Sequence, residues 1–468
     1  MTSLRVAVWG LLVSASAVAA EQPTGDASGV RFVTLEPGHF HAALVQKEMH
    51  DGVSPTVHVY ASSGPDLLGH LGRIAAFNAR EGDPTRWQLE VHIHPEPLER
   101  MLEERPGNVV ILSGRNRGKI DAILASVRAG MSVLADKPWI LEPADLPKLE
   151  EALRLADEKG LVAYDLMTER LEITSILQRE LVSAPEVFGA ALEGTPEEPA
   201  VYVESVHHLM KTVAGAPNLR PPWFFDTAHQ GEGLNDVGTH LVDLVQWTLF
   251  PDRAIDHASE VEVLAAQRWP TPIDEEQFRR VTGTPGFPEA LRDDVRNGKL
   301  DYFCNTLVSY RLAGVHVALN VIWDWEAPAG SGDRHFAYYR GDRSRIEVRQ
   351  SADHGFRPEL FVVPVREAER EAIRSAIERR LRELDARYPG LGLEDRGAEI
   401  QVVIPEGFRV GHEAHFAEVT ASFLRFMADR SALPAWERPN MLAKYYVTTT
   451  GAALSRRGSP SAAPRKAP

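Results

Sequence analysis

The chain has little cysteine, and its basic residues are too few to offset its acidic ones. Cys304 is the only cysteine among 468 residues, which excludes a disulfide within the chain and a zinc site built on several thiolates. Lys and Arg number 51 against 66 Asp and Glu, for a net charge of −15. A chain of this charge is a poor partner for nucleic acid or an anionic membrane, so we expect neither.

Long apolar runs are missing from the body of the chain, where no segment approaches the ~20 residues of a membrane span. A shorter run over 6–18 follows Arg5 and precedes Ala19-Ala20-Glu21. This pattern is typical of a cleaved secretory signal peptide, which we place at residues 1–20, followed by a polar linker over 21–29. It predicts a secreted or periplasmic protein whose mature chain has no membrane span. An uncleaved N-terminal anchor is the alternative.

Several common catalytic and metal-binding motifs are also absent. The chain has no P-loop, no nucleophile elbow and no H-E-x-x-H. Histidines pair at positions 92 and 94, 207 and 208, and 412 and 415, but no acidic residue stands at a recognisable metal-motif spacing. We therefore expect no metal.

What is present is a globular composition, with 44% hydrophobic and 25% charged residues. Between residues 30 and 165, short apolar segments alternate with helical patterns. Strands are predicted at 31–35, 56–61, 89–94, 108–113, 131–135 and 161–164, and helices at 40–49, 119–129 and 144–159. Strands and helices in this alternation predict an α/β domain with a doubly wound, Rossmann-type parallel sheet.

The pattern changes over residues 166–454, where we predict an α+β domain with a large, mostly antiparallel open sheet. Helices are predicted at 171–181, 367–387 (a charged insertion), 416–428 and 440–454; strands are predicted at 187–192 and 201–205, and hairpins at 303–325 and 337–349. The tail over 455–468, rich in Ser, Pro, Ala, Arg and Lys, is predicted to be disordered.

The stretch from Gly231 to Asp243 combines a glycine-rich turn with helical spacing. Asp236, His240 and Asp243 follow at i, i+4 and i+7, which places them on one stripe of a helix. A carboxylate one turn from an imidazole can serve in proton transfer. An amphipathic helix with a solvated polar face has the same spacing, so both interpretations stay open at this point.

Four motifs in order resemble the glucose–fructose oxidoreductase/inositol dehydrogenase (Gfo/Idh/MocA) family. Ala129-Gly130-Met-Ser-Val133-Leu-Ala-Asp136-Lys137-Pro138 is similar to its "AGKHVLxEKP" signature, and Gly231–Asp243 to its "GGGxxxDxGxHxxD" segment. Arg170 with Pro185-Glu-Val-Phe-Gly189 resembles the entry into its second domain, and His412-Glu-Ala-His-Phe416 its closing motif. The resemblance spans roughly residues 30 to 455 and implies a homo-oligomer, a dimer or tetramer.

The resemblance implies three catalytic positions, Lys137, Asp236 and His240. His240 would take the proton of a sugar hydroxyl as a hydride leaves for nicotinamide, Asp236 would orient His240, and Lys137 would polarise the oxygen. The sugar would also contact Arg170, His207, His208 and Trp223 in the same cleft.

The motifs with which the family binds its cofactor are incomplete in this chain. The first turn should read G-x-G-x-x-G, but here it is Glu36-Pro37-Gly38-His39-Phe40-His41, and the acidic residue expected after the second strand is replaced by serines. We expect NAD or NADP, and the serines leave open which of the two. Its contacts are predicted to come from Gly38, His39, Phe40, Ser62, Ser113, Arg115, Asp136 and Lys137. His39 and His41 could equally be exposed loop side chains.

Three functions follow from these patterns. The first is an exported NAD(P)-dependent oxidoreductase acting on a hydroxyl or keto group of a carbohydrate or polyol. The second is a glycoside lyase or hydrolase that retains its NAD and causes no net redox change, because free cofactor is scarce outside the cytoplasm. The third is a carbohydrate-binding protein that has lost the cofactor.

Overall fold

A computed structural model describes residues 29–213 and 216–458. The predicted signal peptide, residues 21–28 of the predicted linker and the predicted tail from residue 459 onward lie outside the described residues. Within the described ranges, none of the helices combines the length and apolar character needed to cross a bilayer.

The first part of the chain folds into alternating strands and helices. In chain order they are β1 (Phe32–Leu35), α1 (His41–Leu44), β2 (Thr56–Ala61), α2 (Pro65–Ala79), β3 (Gln88–Ile93), α3 (Pro97–Glu104), β4 (Val109–Leu112), α4 (Lys119–Arg128), β5 (Ser132–Ala135), α5 (Leu146–Glu158) and β6 (Ala163–Asp165). The strands form one sheet in the order β3-β2-β1-β4-β5-β6, and each pair is parallel. The predicted doubly wound sheet is confirmed.

The burial of the central strands explains why they appear in the sequence as short apolar runs. All four residues of β1, β4 and β5 are buried, as expected for parallel strands covered by helices on both faces. Two details differ from the sequence prediction: α1 is a single turn rather than a helix over 40–49, and the helices α2 and α3 were not predicted.

The second part of the chain contains the remaining elements. They are α6 (Ile173–Val182), β7 (Val201–Met210), β8 (Thr212–Val213), β9 (Ala216–Pro217), α7 (Thr227–Gln230), α8 (Val237–Leu249), α9 (His257–Glu260), β10 (Val261–Asp274), α10 (Glu275–Thr282), β11 (Val295–Arg296), β12 (Lys299–Leu312), β13 (Val315–Glu326), β14 (Arg334–Arg340), β15 (Ser344–Gln350), β16 (Glu359–Pro364), α11 (Arg370–Leu384), β17 (Gly392–Asp395), β18 (Ile400–Val403), α12 (His412–Ala428) and α13 (Glu437–Arg457).

The large sheet runs in the order β10-β12-β13-β7-β14-β15-β16-β18-β17, with β11 added beside β12. Strands β7 and β13 are parallel, and the other neighbours are antiparallel. The predicted antiparallel sheet, both hairpins and the inserted charged helix are confirmed. The strand predicted at 187–192 is wrong: Gly189 has a φ of 78° and turns the chain, and Ala191 makes an isolated bridge to Gly341.

Strand β10 was missed because its sequence does not look like a strand. It contains Pro270 and Pro272, and its exposure alternates irregularly. It lies at the edge of the sheet, where proline is tolerated, and its pairing with β12 is irregular between Trp269 and Thr271.

The last two helices pack back onto the first domain. Phe416, Phe423 and other residues of α12 join the core around Phe32 and Val45. Helix α13 contributes Met441, Leu442 and Tyr445 to the core on the other side of the parallel sheet, and Ala443 and Val447 to the core of the second domain. The predicted tail starts too early, because α13 continues to Arg457 and Ser455 is buried.

Candidate active site

The site is built around the loop that joins β1 to α1 at the carboxyl edge of the parallel sheet. A Cβ on Gly38 would lie 3.3 Å from the Asp66 carboxylate, the Gly114 Cα and the Trp223 ring, and a Cβ on Gly114 would lie 2.4 Å from the Glu36 carbonyl oxygen. Glycine is therefore required where the loops after β1 and β4 touch. The His39 N–H donates to the Ser113 carbonyl at 3.0 Å, so this donor is used within the protein.

An acidic side chain from another loop reaches the end of β2, although the residues that follow β2 in the sequence are not acidic there. Glu36, with a φ of 46°, stands where the family fingerprint has its first glycine. Its Oε1 accepts hydrogen bonds from the Ser62 N–H at 2.7 Å and the Ser62 hydroxyl at 2.9 Å. We missed Glu36 as a functional candidate; the signal was that a carboxylate replaces a glycine of the fingerprint.

Two histidines of the loop face one buried carboxylate. Nδ1 of His41 lies 2.9 Å and Nδ1 of His39 lies 3.2 Å from Oδ2 of Asp136, which also accepts from the Ser113 hydroxyl at 3.0 Å. Burial lowers the pKa of His41 to about 3, so its ring is neutral at pH 7 and bonds to the carboxylate as an Nδ1–H donor. The other oxygen of Asp136, Oδ1, is buried without a hydrogen-bond partner.

Lys137 and Asp236 form an ion pair across the domain boundary. Lys137 follows β5 and precedes Pro138 through a cis peptide bond. Its Nζ donates to Oδ1 of Asp236 at 2.5 Å and to the Asp236 carbonyl at 3.1 Å. Burial opposes ionisation of Asp236, but the Lys137 ammonium outweighs it and lowers the pKa of that carboxyl to about 2. Burial also opposes the charge of Lys137, yet Asp236 and Asp136 raise its pKa, so the ammonium stays protonated.

His240 lies in the first turn of α8, beside this pair. Burial and the charge of Lys137 lower the pKa of His240 to about 4, and its Nδ1 is buried without a hydrogen-bond partner. The Asp236 carboxylate binds Lys137, and the structure does not support the expectation that Asp236 orients His240. Asp236 precedes the helix, with φ −83° and ψ −90°, and so leaves the stripe that its spacing predicts.

Glu169 also influences His240 through its charge and was not predicted. Its carboxylate contacts Nδ1 of His412, the first residue of α12, at 3.2 Å. Burial opposes ionisation of Glu169, but the His412 contact lowers its pKa below the usual range, and its charge favours protonation of His240. The surroundings of His240 thus contain both a cation and an anion.

Arg170 and Asp243 belong to an interior ion cluster rather than to the cleft. Two nitrogens of Arg170 bond to the Asp243 carboxylate at 2.6 and 2.7 Å, and a third bonds to Glu437 at 2.6 Å. Lys444, with a fully buried side chain, lies 3.1 Å from both Asp243 and Asp165. The predicted sugar contact of Arg170 is not supported, because its guanidinium is already engaged by these carboxylates.

His207 and His208 lie on β7 and meet the carboxylate of Asp333. Nδ1 of His208 lies 3.1 Å from Oδ1, and Lys211 donates to Oδ2 at 2.7 Å. Nδ1 of His207 is 3.3 Å from Oδ2, and its ring lies 4.8 Å from the ring of Trp323. The Trp323 ring itself is buried in the core of the second domain, so the polar groups around Asp333 are the part of this arrangement that a ligand could reach.

Trp223 bridges the two domains at the other end of the β1 loop. Its indole N–H donates to the Asp66 carboxylate at 3.1 Å, and Arg115 pairs with the same carboxylate at 3.0 Å while lying over the Trp223 ring. A cavity of about 780 Å³ opens beside this contact and is lined by Gly38, His39, Phe40 and Arg115 among others. Its volume is within the range of small-molecule sites.

A Rossmann-type domain whose lysine, at the carboxyl edge of its sheet, meets a carboxylate near a histidine of a second domain with an open antiparallel sheet defines a class of two-domain oxidoreductases. Residues 177–456 match the family described as "Putative oxidoreductase C terminal domain", which covers more than half of the chain. The chain belongs to the Gfo/Idh/MocA family of oxidoreductases.

Solved structures agree with this assignment. A protein from Parabacteroides merdae, described as a "putative oxidoreductase", is 45% identical with a TM-score of 0.89, over 93% of this chain and 99% of its own. Levoglucosan dehydrogenase in complex with NADH and L-sorbose shares the fold at 12% identity and a TM-score of 0.55, over 91% and 97% of the two chains. GenD2 from gentamicin A biosynthesis, in complex with NAD, shares the fold at 13% identity and a TM-score of 0.54, over 93% of this chain and 97% of its own. No curated protein matches the chain.

The residues present fit a nicotinamide nucleotide at its reactive end. Oδ1 of Asp136 and Nδ1 of His240 are buried polar atoms without hydrogen-bond partners. Such atoms are costly unless a ligand or water satisfies them. The close contact of Gly38 with Gly114 is retained, whereas the phosphate end has fewer free N–H donors than a complete fingerprint would supply.

Proposed function

We propose that the protein oxidises a secondary hydroxyl of a carbohydrate or polyol, or reduces the corresponding ketone, with NAD or NADP as hydride carrier. The observation that carries this proposal is the Lys137–Asp236 ion pair beside a neutral, buried His240. These three groups can bind, polarise and deprotonate a hydroxyl in one place. His207 and His208 would bind more distant parts of the sugar.

The protein's part in the reaction is proton transfer and charge stabilisation. The hydroxyl proton passes to His240, which is neutral at physiological pH and therefore able to accept it. The Lys137 ammonium donates a hydrogen bond to the substrate oxygen and stabilises the negative charge that develops there. Asp236 keeps Lys137 protonated and in position. The bound nucleotide supplies the acceptor for the hydride.

Gly38, His39, Phe40, Ser62, Ser113, Arg115 and Asp136 are the residues that would hold the nucleotide. Asp136 and Ser113 stand at the ends of neighbouring strands β5 and β4, close to Lys137. Glu36, bonded to Ser62, adds a carboxylate of the kind that accepts hydrogen bonds from ribose hydroxyls.

A second candidate is cleavage of a glycoside with a retained cofactor and no net redox change. The contact of Trp223 with Asp66 and Arg115 favours it, because this contact ties the second domain across the Gly38 loop. A nucleotide bound beneath such a contact would leave slowly, which would suit a protein that works where free cofactor is scarce.

One experiment distinguishes these functions. The mature protein is purified from its native compartment and denatured, and released nucleotide is identified by mass spectrometry. We expect NAD or NADP, and a dehydrogenase should accumulate reduced nicotinamide absorbance in step with product. Product formed without that absorbance would instead support redox-neutral cleavage. A protein that neither carries nor binds NAD or NADP would contradict both enzymatic functions. The remaining function would then be carbohydrate binding without a cofactor.

We also propose that the protein is exported through its N-terminal segment and assembles into a homo-oligomer. The charged start, the apolar run over 6–18 and the small residues near Ala20 support export. N-terminal sequencing of the protein recovered from a periplasmic or culture fraction should begin near Glu21. A full-length protein that stays in the cytoplasmic fraction would contradict export.

A further inference from the structure

A group of metal-ligand side chains lies on the first domain, apart from the cleft. His58 in β2 is directly opposite Glu90 in β3, and Tyr60 is opposite His92. The side chains of His58, Glu90 and His92 therefore project from the same face of neighbouring strands. Their ligand atoms, two imidazole nitrogens and a carboxylate oxygen, lie within 4.8 Å of one another.

The distances in this group match those around a tetrahedral ion. Nδ1 of His58 is 3.2 Å from Nε2 of His92 and 3.4 Å from Oε2 of Glu90. Ligands bound to zinc at about 2.0–2.1 Å in tetrahedral geometry are separated by roughly 3.3 Å. Two of the three separations therefore suit a tetrahedral ion as they stand, and the third is no longer than 4.8 Å.

A second carboxylate prepares His92 to act as a ligand. Oε2 of Glu104, in α3, lies 3.5 Å from Nδ1 of His92 and is itself held by the Tyr60 hydroxyl; the other Glu104 oxygen binds Arg100. The Tyr60 ring stacks on the His92 ring at 4.2 Å with an interplanar angle of 4°. Glu104 thus favours the tautomer with a proton on Nδ1, which leaves the Nε2 lone pair facing His58. Carboxylate–histidine pairs of this kind orient metal ligands in proteins.

The group is also accessible. The side chain of Glu90 is 58% exposed and that of His92 is 29% exposed, so an ion can enter from solvent and keep a water as its fourth ligand. The three ligands connect β2 to β3, the edge strand of the parallel sheet, whose exposed residues include Val91 and Ile93.

We propose that His58, Glu90 and His92 form a binding site for a divalent transition-metal ion such as Zn²⁺, with Glu104 as the positioning residue. The ion holds the edge strand β3 to β2 and takes no part in the chemistry of the cleft. Metal binding at this site would contradict our expectation, from motif spacing, that the chain has no metal. The proposal is independent of the proposed oxidoreductase function.

The test is a Zn²⁺ titration of the chelator-treated mature protein by calorimetry, with metal content measured after gel filtration. Wild type should bind about one equivalent with a tetrahedral three-ligand set, and Co²⁺ in its place should give the visible spectrum of a tetrahedral site. The His92→Gln variant should lose this binding. Glu104→Gln should bind about 10- to 100-fold more weakly, because it removes the orienting carboxylate.

The cleft supplies the matched control, because His39, His41 and Asp136 are a second group of two histidines and one carboxylate. The His41→Gln variant should bind Zn²⁺ as wild type does. Circular dichroism of the metal-free variants shows whether each one is folded. Absence of Zn²⁺ binding by wild type, retention of it by folded His92→Gln, or its loss in folded His41→Gln would overturn the proposed site.

Discussion

A His240→Gln variant should keep its nucleotide and lose turnover, with kcat lower by about 10²- to 10⁴-fold, because it lacks the base that accepts the hydroxyl proton. The affinity for NAD or NADP, measured by calorimetry, should stay near that of wild type. The pH dependence provides a second readout. In wild type the base is active when neutral, so kcat/KM should fall as the pH drops through the His240 pKa of about 4 and should be level above it.

His316→Gln is the control for this variant. His316 lies on β13, opposite Arg311 of β12, and takes no part in the contacts of the cleft described above. Its replacement should leave kcat and its pH profile unchanged. If His240→Gln turns over at the wild-type rate, another group is the base, and Lys137, which has a raised pKa and donates to Asp236, would have to be reconsidered.

The second large effect concerns stability. Replacing Lys444 by methionine should lower the free energy of unfolding by about 3–5 kcal/mol, because it leaves the buried carboxylate of Asp165 without its cation and removes one of the two cations that contact Asp243. The pKa of Lys444 is raised: burial opposes its charge, but the two carboxylates outweigh burial. Urea unfolding followed by circular dichroism measures the change.

Lys148→Met is the matched control, since Lys148 also contacts two carboxylates, those of Asp121 and Asp145, but with a largely solvated side chain. Exposed pairs contribute little, so this variant should unfold with the wild-type midpoint. A Lys444→Met variant as stable as wild type would show that the interior charges are better screened than their burial indicates.

The sheets were predictable because their signals are local. Buried parallel strands appear as short apolar runs, and the hairpin between β12 and β13 follows from alternation around Ala313-Gly314. Strand β10 was not predictable by the same means, since Pro270 and Pro272 are tolerated only because the strand is at an edge. Edge position depends on the whole sheet and is not encoded in the strand's own residues.

The site was predictable in its residue types and less so in its connections. Lys137 and Asp236 form an ion pair whose charges act on His240, but the helical spacing that linked Asp236 to His240 and Asp243 was misleading. Asp236 lies before the helix and pairs with Lys137, whereas Asp243 pairs with Arg170 and Lys444. Glu36 was missed for a related reason: its partner Ser62 belongs to a neighbouring strand, and only the folded sheet brings the two together.

The packing of α12 and α13 against the parallel sheet has a consequence for how the protein is made. Phe416 and Phe423 complete one side of the first domain, and Met441, Leu442 and Tyr445 complete the other. Many N-terminal domains fold while the ribosome is still synthesising the rest of the chain. Here the core of the first domain includes side chains from α12 and α13, so we expect that domain to complete its folding only after both helices have been synthesised.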